Sequence, residues 1–233
     1  MRLAPLLLTL AACDDFELAP PDIDTPPTAA SLPPSVVPVS AAAPPSSVDP
    51  ATLATSMKPE EWKRLTTPPV GDPAKSAVVT AWKWSDQNGE NLALFGNVGA
   101  DDKNGSQLWV RVVSGADKKE LRLVKDGVEV CEFDTTCAFA DGATGVTDLD
   151  KDGVSELTFA YRLACRSDVS PSDLKLLVLE GTDKYILRGS SFIDFGDGGA
   201  VGGDFKPDPE KAKWPAGFDA HAEKTWAAVR KEF

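Results

Sequence analysis

The chain has 233 residues, with 36 Asp and Glu against 24 Lys and Arg, a net charge of −12, and 42% hydrophobic residues. That length allows one or two domains, and there is enough Leu, Val and Trp to fill a core. So acidic a body repels phosphate backbones and holds no run of Lys or Arg, so no nucleic acid partner is expected; the acidity suits solubility and divalent cations.

Met1-Arg2 is a minimal positive start, and Leu3 to Ala12 is a short apolar stretch. About ten residues cannot span a bilayer, which takes about twenty, but they match the apolar region of a signal peptide. The stretch ends Leu10-Ala11-Ala12-Cys13, which resembles the lipobox of bacterial lipoproteins. The resemblance implies a signal peptide over 1–12, cleavage before Cys13, and diacylglycerol on its sulfur. Two or three acyl chains would then anchor the protein stably to a membrane. The implied location is the cell envelope, on the inner or the outer membrane. Asp14 resembles an inner-membrane retention signal of enteric bacteria, a rule that varies between lineages.

Residues 13–76 read as a disordered linker. Ten of the nineteen prolines fall between Ala19 and Pro50, several as Pro-Pro pairs. Proline removes amide donors and fixes φ, so extended chain is expected there. Thirty such residues would reach up to roughly 90 Å at about 3.1 Å each. Lys58 to Leu65 reads as a short helical turn, and the folded domain is expected over 77–233.

Ala77 to Trp84 reads as a strand, and Ser85-Asp86-Gln87-Asn88-Gly89 as a hairpin turn marked by Asn-Gly. Strands follow at Asn91–Asn97 and Gln107–Val113, separated by a turn at Asp101–Gly105. Glu120 to Val124 alternates polar and apolar, the pattern of a half-buried strand. Lys125-Asp126-Gly127 reads as a turn into Val128–Cys131. Leu157–Leu163, Leu174–Glu180 and Lys184–Arg188 continue the series. Asp219 to Glu232 alone looks helical, with Ala222, Trp226 and Val229 on one face. The expected fold is mainly β: one antiparallel sheet or sandwich-like domain of some eight or nine short strands with a C-terminal helix. A full propeller would need more chain.

The sharpest chemical feature is Asp148-Leu149-Asp150-Lys151-Asp152-Gly153-Val154-Ser155-Glu156. Carboxylates stand at relative positions 1, 3, 5 and 9 and glycine at 6. Alternate acids in a tight loop turn their oxygens towards one centre, which is unfavourable unless a hard cation neutralises them. The expected ligands are Asp148, Asp150, Asp152, the Val154 carbonyl and Glu156, and the expected ion is calcium. Position 12 is Phe159, which excludes an EF-hand, since that motif needs a bidentate glutamate there. The spacing resembles the Asp-x-Asp-x-Asp-Gly calcium loops of integrin-type (FG-GAP) propeller blades. Affinity of roughly 10⁻⁴–10⁻³ M would serve an extracellular module. The competing reading is a solvated acidic turn without metal.

With Cys13 lipidated, Cys131, Cys137 and Cys165 remain, enough for one disulfide and one leftover thiol. Three pairings are open. Cys131 with Cys165 is favoured, because both would end strands flanking the calcium loop, and Cys131 with Cys137 is close behind. Zinc would need nearby partners, and the single histidine, His221, is far away in sequence.

Tyr161-Arg162-Leu163-Ala164-Cys165-Arg166-Ser167-Asp168, Val146-Thr147-Asp148-Leu149-Asp150 and Lys184-Tyr185-Ile186-Leu187-Arg188-Gly189 together resemble a bacterial family of exported domains associated with surface polysaccharide biosynthesis. The resemblance runs from Ala77 to the C-terminal helix and implies a biological context more than a reaction. Cys137 departs from the family pattern.

Arg166 and Asp168 flank Ser167 and suggest a charge-assisted clamp for a sugar or carboxylate. The structural reading pairs them with each other and with loop carbonyls. The six tryptophans invite sugar stacking, although tryptophans in alternating strands are usually core. Asp194 to Asp204 reads as a mobile acidic loop. There is one histidine, no Gly-x-Ser-x-Gly segment and no His/Cys/Glu metal constellation, which argues against an enzyme. The expected function is a membrane-anchored envelope lipoprotein whose calcium-stabilised module binds a glycan or protein. The alternative is an enzyme or accessory factor of surface polysaccharide biosynthesis. A two-carboxylate glycosidase would be recognised by geometry alone.

Overall fold

The structure is a computed structural model and describes residues 55–56, 76–101 and 105–233, all within the compact unit Ser47–Phe233. The leader, Cys13 and most of the linker fall outside the described residues. No helix among the described residues is long and apolar enough to cross a membrane.

Two antiparallel sheets pack face to face, so the mainly β expectation holds and its sandwich form is the one adopted. The first sheet is a meander of β1 (Thr55–Ser56), β2 (Ser76–Asp86), β3 (Gly89–Asp101), β4 (Gly105–Ser114) and β5 (Lys119–Val128), in that order. The second holds β6 (Asp134–Phe139), β7 (Gly145–Thr147), β8 (Glu156–Arg166), β9 (Asp173–Glu180), β10 (Asp183–Ser190) and β13 (Phe205–Asp208). Its order is β13-β10-β9-β8-β6, with β7 sharing the β8 edge with β6. A small hairpin, β11 (Phe192–Asp194) with β12 (Ala200–Gly202), precedes β13, and helix α1 (Phe218–Val229) follows.

The inward residues of both sheets form one core. Phe95 meets Phe139 and Phe159 edge-on at centroid distances of 5.2 and 5.4 Å, among Leu108, Val110, Leu157, Leu177 and Ile186. The other face of the second sheet is also apolar, and α1 covers it. Phe218, Ala222, Trp226 and Val229 recur at helical spacing and pack against Leu174, Leu176, Val178 and Leu187. The Trp226 indole donates to the Gly203 carbonyl at 3.0 Å, so this buried ring keeps its polar contact. Trp84, Trp109 and Trp214 are likewise buried and Trp82 packs against the core, which leaves no described tryptophan as an open stacking platform.

Three sequence expectations need correction. β1 lies inside the 13–76 stretch read as linker, and pairs Thr55 with Lys83 and Ser56 with Trp82. Neither Thr55 nor Ser56 is a proline, so both keep an amide that can bond the β2 edge. Lys125-Asp126-Gly127 is not a turn, because β5 runs through it. There Gly127 serves close packing: a Cβ would lie 2.5 Å from the Ser106 carbonyl oxygen on β4. Asp126 is tolerated in the strand because Tyr161 Oη donates to it at 2.7 Å and Lys175 Nζ pairs with it at 2.5 Å. Finally, thirteen strands form among the described residues, more than the eight or nine expected. The additional ones include β11 and β12, which build a hairpin from parts of the stretch read as a mobile loop.

The C-terminus is pinned by Glu232. Its carboxylate pairs with Arg166 and accepts hydrogen bonds from the Ser191 hydroxyl, the Ser172 hydroxyl at 2.8 Å and the Ser172 amide at 3.2 Å. Burial opposes ionisation there, but Arg166 and the two serines outweigh it and hold the carboxyl at about 2, below its ordinary 4.5. The stability contributed by this group is therefore present above pH 4.5 and is lost as pH falls towards 2. Glu232→Ala should cost about 1.5–3 kcal/mol in urea denaturation at pH 7, the scale of charged hydrogen bonds lost from a part-buried pair. The gap between wild type and variant should close as the pH is taken down to about 2.

Candidate metal centre

The acidic loop forms because β7 and β8 pair immediately on either side of it. Thr147 faces Glu156 and Val146 faces Leu157, so residues 148–155 must reverse the chain. Two aspartates fold it from within: Asp150 Oδ1 accepts the Asp152 amide at 3.3 Å, and Asp152 Oδ1 accepts the Val154 amide at 2.7 Å. Lys151 and Gly153 take left-handed φ values of 65° and 86°. Glycine suits the second position for its backbone alone, since a side chain there would be strained.

The loop is also tied to the first sheet. Asp86, at the end of β2, accepts the Ser155 amide at 3.1 Å and the Asn88 amide at 2.8 Å. Gln87 returns a bond to the Gly153 carbonyl at 2.9 Å. The Asn-Gly hairpin thus joins one end of the sandwich to the acidic loop.

The structure brings the predicted carboxylates together and adds one that sequence reasoning missed. One oxygen each of Asp148, Asp150 and Glu156 lie within 4.8 Å of one another. Asp150, Asp152 and Glu180 form a second such group. Glu180 ends β9 and stands directly opposite Glu156, the first residue of β8. Only the strand register reveals it; in sequence it was the polar end of an apolar strand.

Glu156 is completely buried. Its Oε2 accepts the Thr147 hydroxyl and the Leu149 amide, both at 2.9 Å. Its Oε1 has no hydrogen-bond partner, nor do the buried atoms Asp148 Oδ1 and Glu180 Oε1. Buried acceptors are normally satisfied, and three open carboxylate oxygens in one cluster are the donor set of a hard cation. The cluster could therefore hold a metal ion. Burial raises Glu156 to about 7, and repulsion from Glu180 and Asp150 adds to it against the Leu149 and Thr147 hydrogen bonds. Burial raises Glu180 to about 7 as well, helped by Asp150, Asp152, Asp183 and Asp148. Val154, expected to offer its carbonyl, sits in the loop with its amide bound to Asp152.

The other sequence candidates lie elsewhere. Cys131 and Cys165 form a disulfide, and Cys137 is a free thiol whose burial pushes its pKa up. Arg166 and Asp168 both line an open pocket of about 440 Å³, beside Ser167, Ser170 and Asp173. The Arg166 guanidinium is engaged by Glu232 and the Ser170 carbonyl, while Asp168 accepts the Ser170 amide at 2.9 Å.

An open groove of about 480 Å³ was not anticipated. Asp173, Lys175, Arg188, Ser190, Asp204 and Lys206 line it. Lys175 faces Arg188, and Arg188 faces Lys206, so three cations stand in one cross-strand row. Lys175 pairs with Asp126, whereas Arg188 reaches Asp208 only at 3.5 Å and both remain exposed.

Compared with protein-family models, curated proteins and solved structures, the chain finds no match in any of the three.

The raised carboxyls set a pH signature. Folded Glu156 and Glu180 hold protons up to about pH 7 while the unfolded chain releases them near 4.5, so without metal they make the fold less stable as pH rises between those values. In a chelator the melting temperature should fall from pH 5 to pH 7.5, and a divalent cation should reverse the fall at pH 7.5 while doing little at pH 5. A flat profile in both conditions would mean that the two carboxyls are ordinary.

Proposed function

We propose that this chain is an exported envelope lipoprotein, lipid-anchored through Cys13, whose β-sandwich is stabilised by calcium and binds a glycan at the cell surface. The observation that carries the cation reading is the completely buried Glu156 with one open oxygen, set among Asp148, Asp150, Asp152 and Glu180. An all-oxygen set of carboxylates suits calcium better than softer metals. The lipobox-like Leu10-Ala11-Ala12-Cys13 supports the tether, and the Cys131–Cys165 disulfide supports an oxidising compartment.

Calcium held about 100-fold above its dissociation constant should add about 2.7 kcal/mol to the stability of the fold, a rise in melting temperature of roughly 5–10 °C. Asp150→Ala should abolish that rise, because Asp150 belongs to both carboxylate groups. An unchanged melting curve in saturating calcium would remove the cation from the account.

The groove supports the glycan. Its mixture of carboxylates, cations and a serine hydroxyl offers donors and acceptors side by side, as a polyhydroxyl ligand requires. Arg188→Ala should weaken retention on immobilised envelope polysaccharide by about tenfold to a hundredfold, the worth of a charge-assisted hydrogen bond. Equal retention of wild type and variant would place the ligand elsewhere.

A further inference from the structure

We infer that the acidic cluster takes two divalent cations that share Asp150, with Glu180 and Asp152 completing the second position. This rests on the cation reading above and extends it.

The carboxylates form two groups rather than one. Asp148, Asp150 and Glu156 each bring an oxygen within 4.8 Å of the others, as do Asp150, Asp152 and Glu180, and Asp150 alone is common to both groups. A carboxylate has two oxygens and about four lone-pair sites, so one aspartate can serve two ions, and ions bridged in this way stand about 3.5–4 Å apart.

The open oxygens are divided between the groups in the same manner. Asp148 Oδ1 and Glu156 Oε1 are carried by residues of the first group, and Glu180 Oε1 by a residue of the second. An ion seated in the first group alone would leave a buried Glu180 oxygen unsatisfied.

Charge leads to the same count. The five side chains carry −5 when ionised. One divalent ion leaves −3 and two leave −1. The only basic side chain between Asp148 and Glu156 is Lys151, which is exposed. Glu156 and Glu180 also stand directly opposite one another on adjacent strands, where like charges are destabilising unless something positive lies beside them. Two ions, one on each side of Asp150, place a positive charge beside each glutamate.

The test is the stoichiometry of calcium on the full chain, read by native mass spectrometry with calcium as the only divalent cation. Wild type should saturate at two ions, and Glu180→Gln at one. Asp152→Asn changes an exposed loop position, keeps the side chain's shape, and should also saturate at one, which separates loss of a ligand from loss of a strand-end glutamate. Saturation of wild type at one ion overturns the inference and leaves the calcium reading standing. Two ions in both variants overturns it as well. No bound calcium in wild type overturns both.

Discussion

The Glu156 carboxylate is buried at the start of the best-connected strand of the second sheet, with one oxygen held by Thr147 and Leu149 and the other open. β8 pairs with β7 and β9 at Glu156 and with β6 only at its far end, so a charge at its first residue bears on two strands at once. The loop that delivers Glu156 is bonded to the Asp86 hairpin of the first sheet. Leu149, whose amide binds Glu156, packs into the apolar layer beneath α1. Hairpin, central strand and helix layer therefore meet around one acidic cluster, and the order of that end of the sandwich depends on how its charge is neutralised.

The contrast with Glu232 shows that the fold has another way of dealing with such a group. Both are glutamates withdrawn from water. Glu232 receives a guanidinium, two hydroxyls and an amide, and ionises at about 2. Glu156 and Glu180 receive other carboxylates as neighbours, and remain protonated to about 7. The same carboxyl is shifted in opposite directions by partners of opposite sign. A buried charge without a counter-charge is among the costliest features a fold can carry. Glu232 has a guanidinium beside it, whereas Glu156 has only a hydroxyl and an amide and stands in a cluster that could hold a metal ion.

What could be read from the sequence was whatever lay within a few residues. The period-two alternation of Leu157–Leu163 and Glu120–Val124, the Asn88-Gly89 turn, and the Ala222, Trp226, Val229 stripe each encode local geometry, and each is found where expected. The carboxylate spacing from Asp148 to Glu156 belongs to the same kind, because one short loop carries it. Glu180 does not. It joins the cluster only because β9 pairs with β8 in a register that sets it against Glu156, and nothing in its own neighbourhood announces this. Arg166 bonds a loop carbonyl, that of Ser170, as its structural reading expects, but its ion-pair partner Glu232 lies 66 positions away and nothing in its own neighbourhood announces it. Lys125-Asp126-Gly127 failed differently: the residues are those of a turn, but the Ser106 backbone and the side chains of Tyr161 and Lys175 set terms that turn chemistry cannot anticipate.

The cation row in the groove follows from the same long-range logic. Lys175, Arg188 and Lys206 are scattered through three strands of a strongly acidic chain, and only the antiparallel register places them side by side. Cations placed directly opposite each other repel, so the row is tolerable only if acids reach it from outside the row. Asp126 does so for Lys175 across from the first sheet, and Asp208 does so weakly for Arg188. Neutralisation thus fades along the row from the covered interior towards open solvent. At its open end the chain presents Arg188 and Lys206 beside Asp204 and Ser190, cations and acids side by side in one open groove.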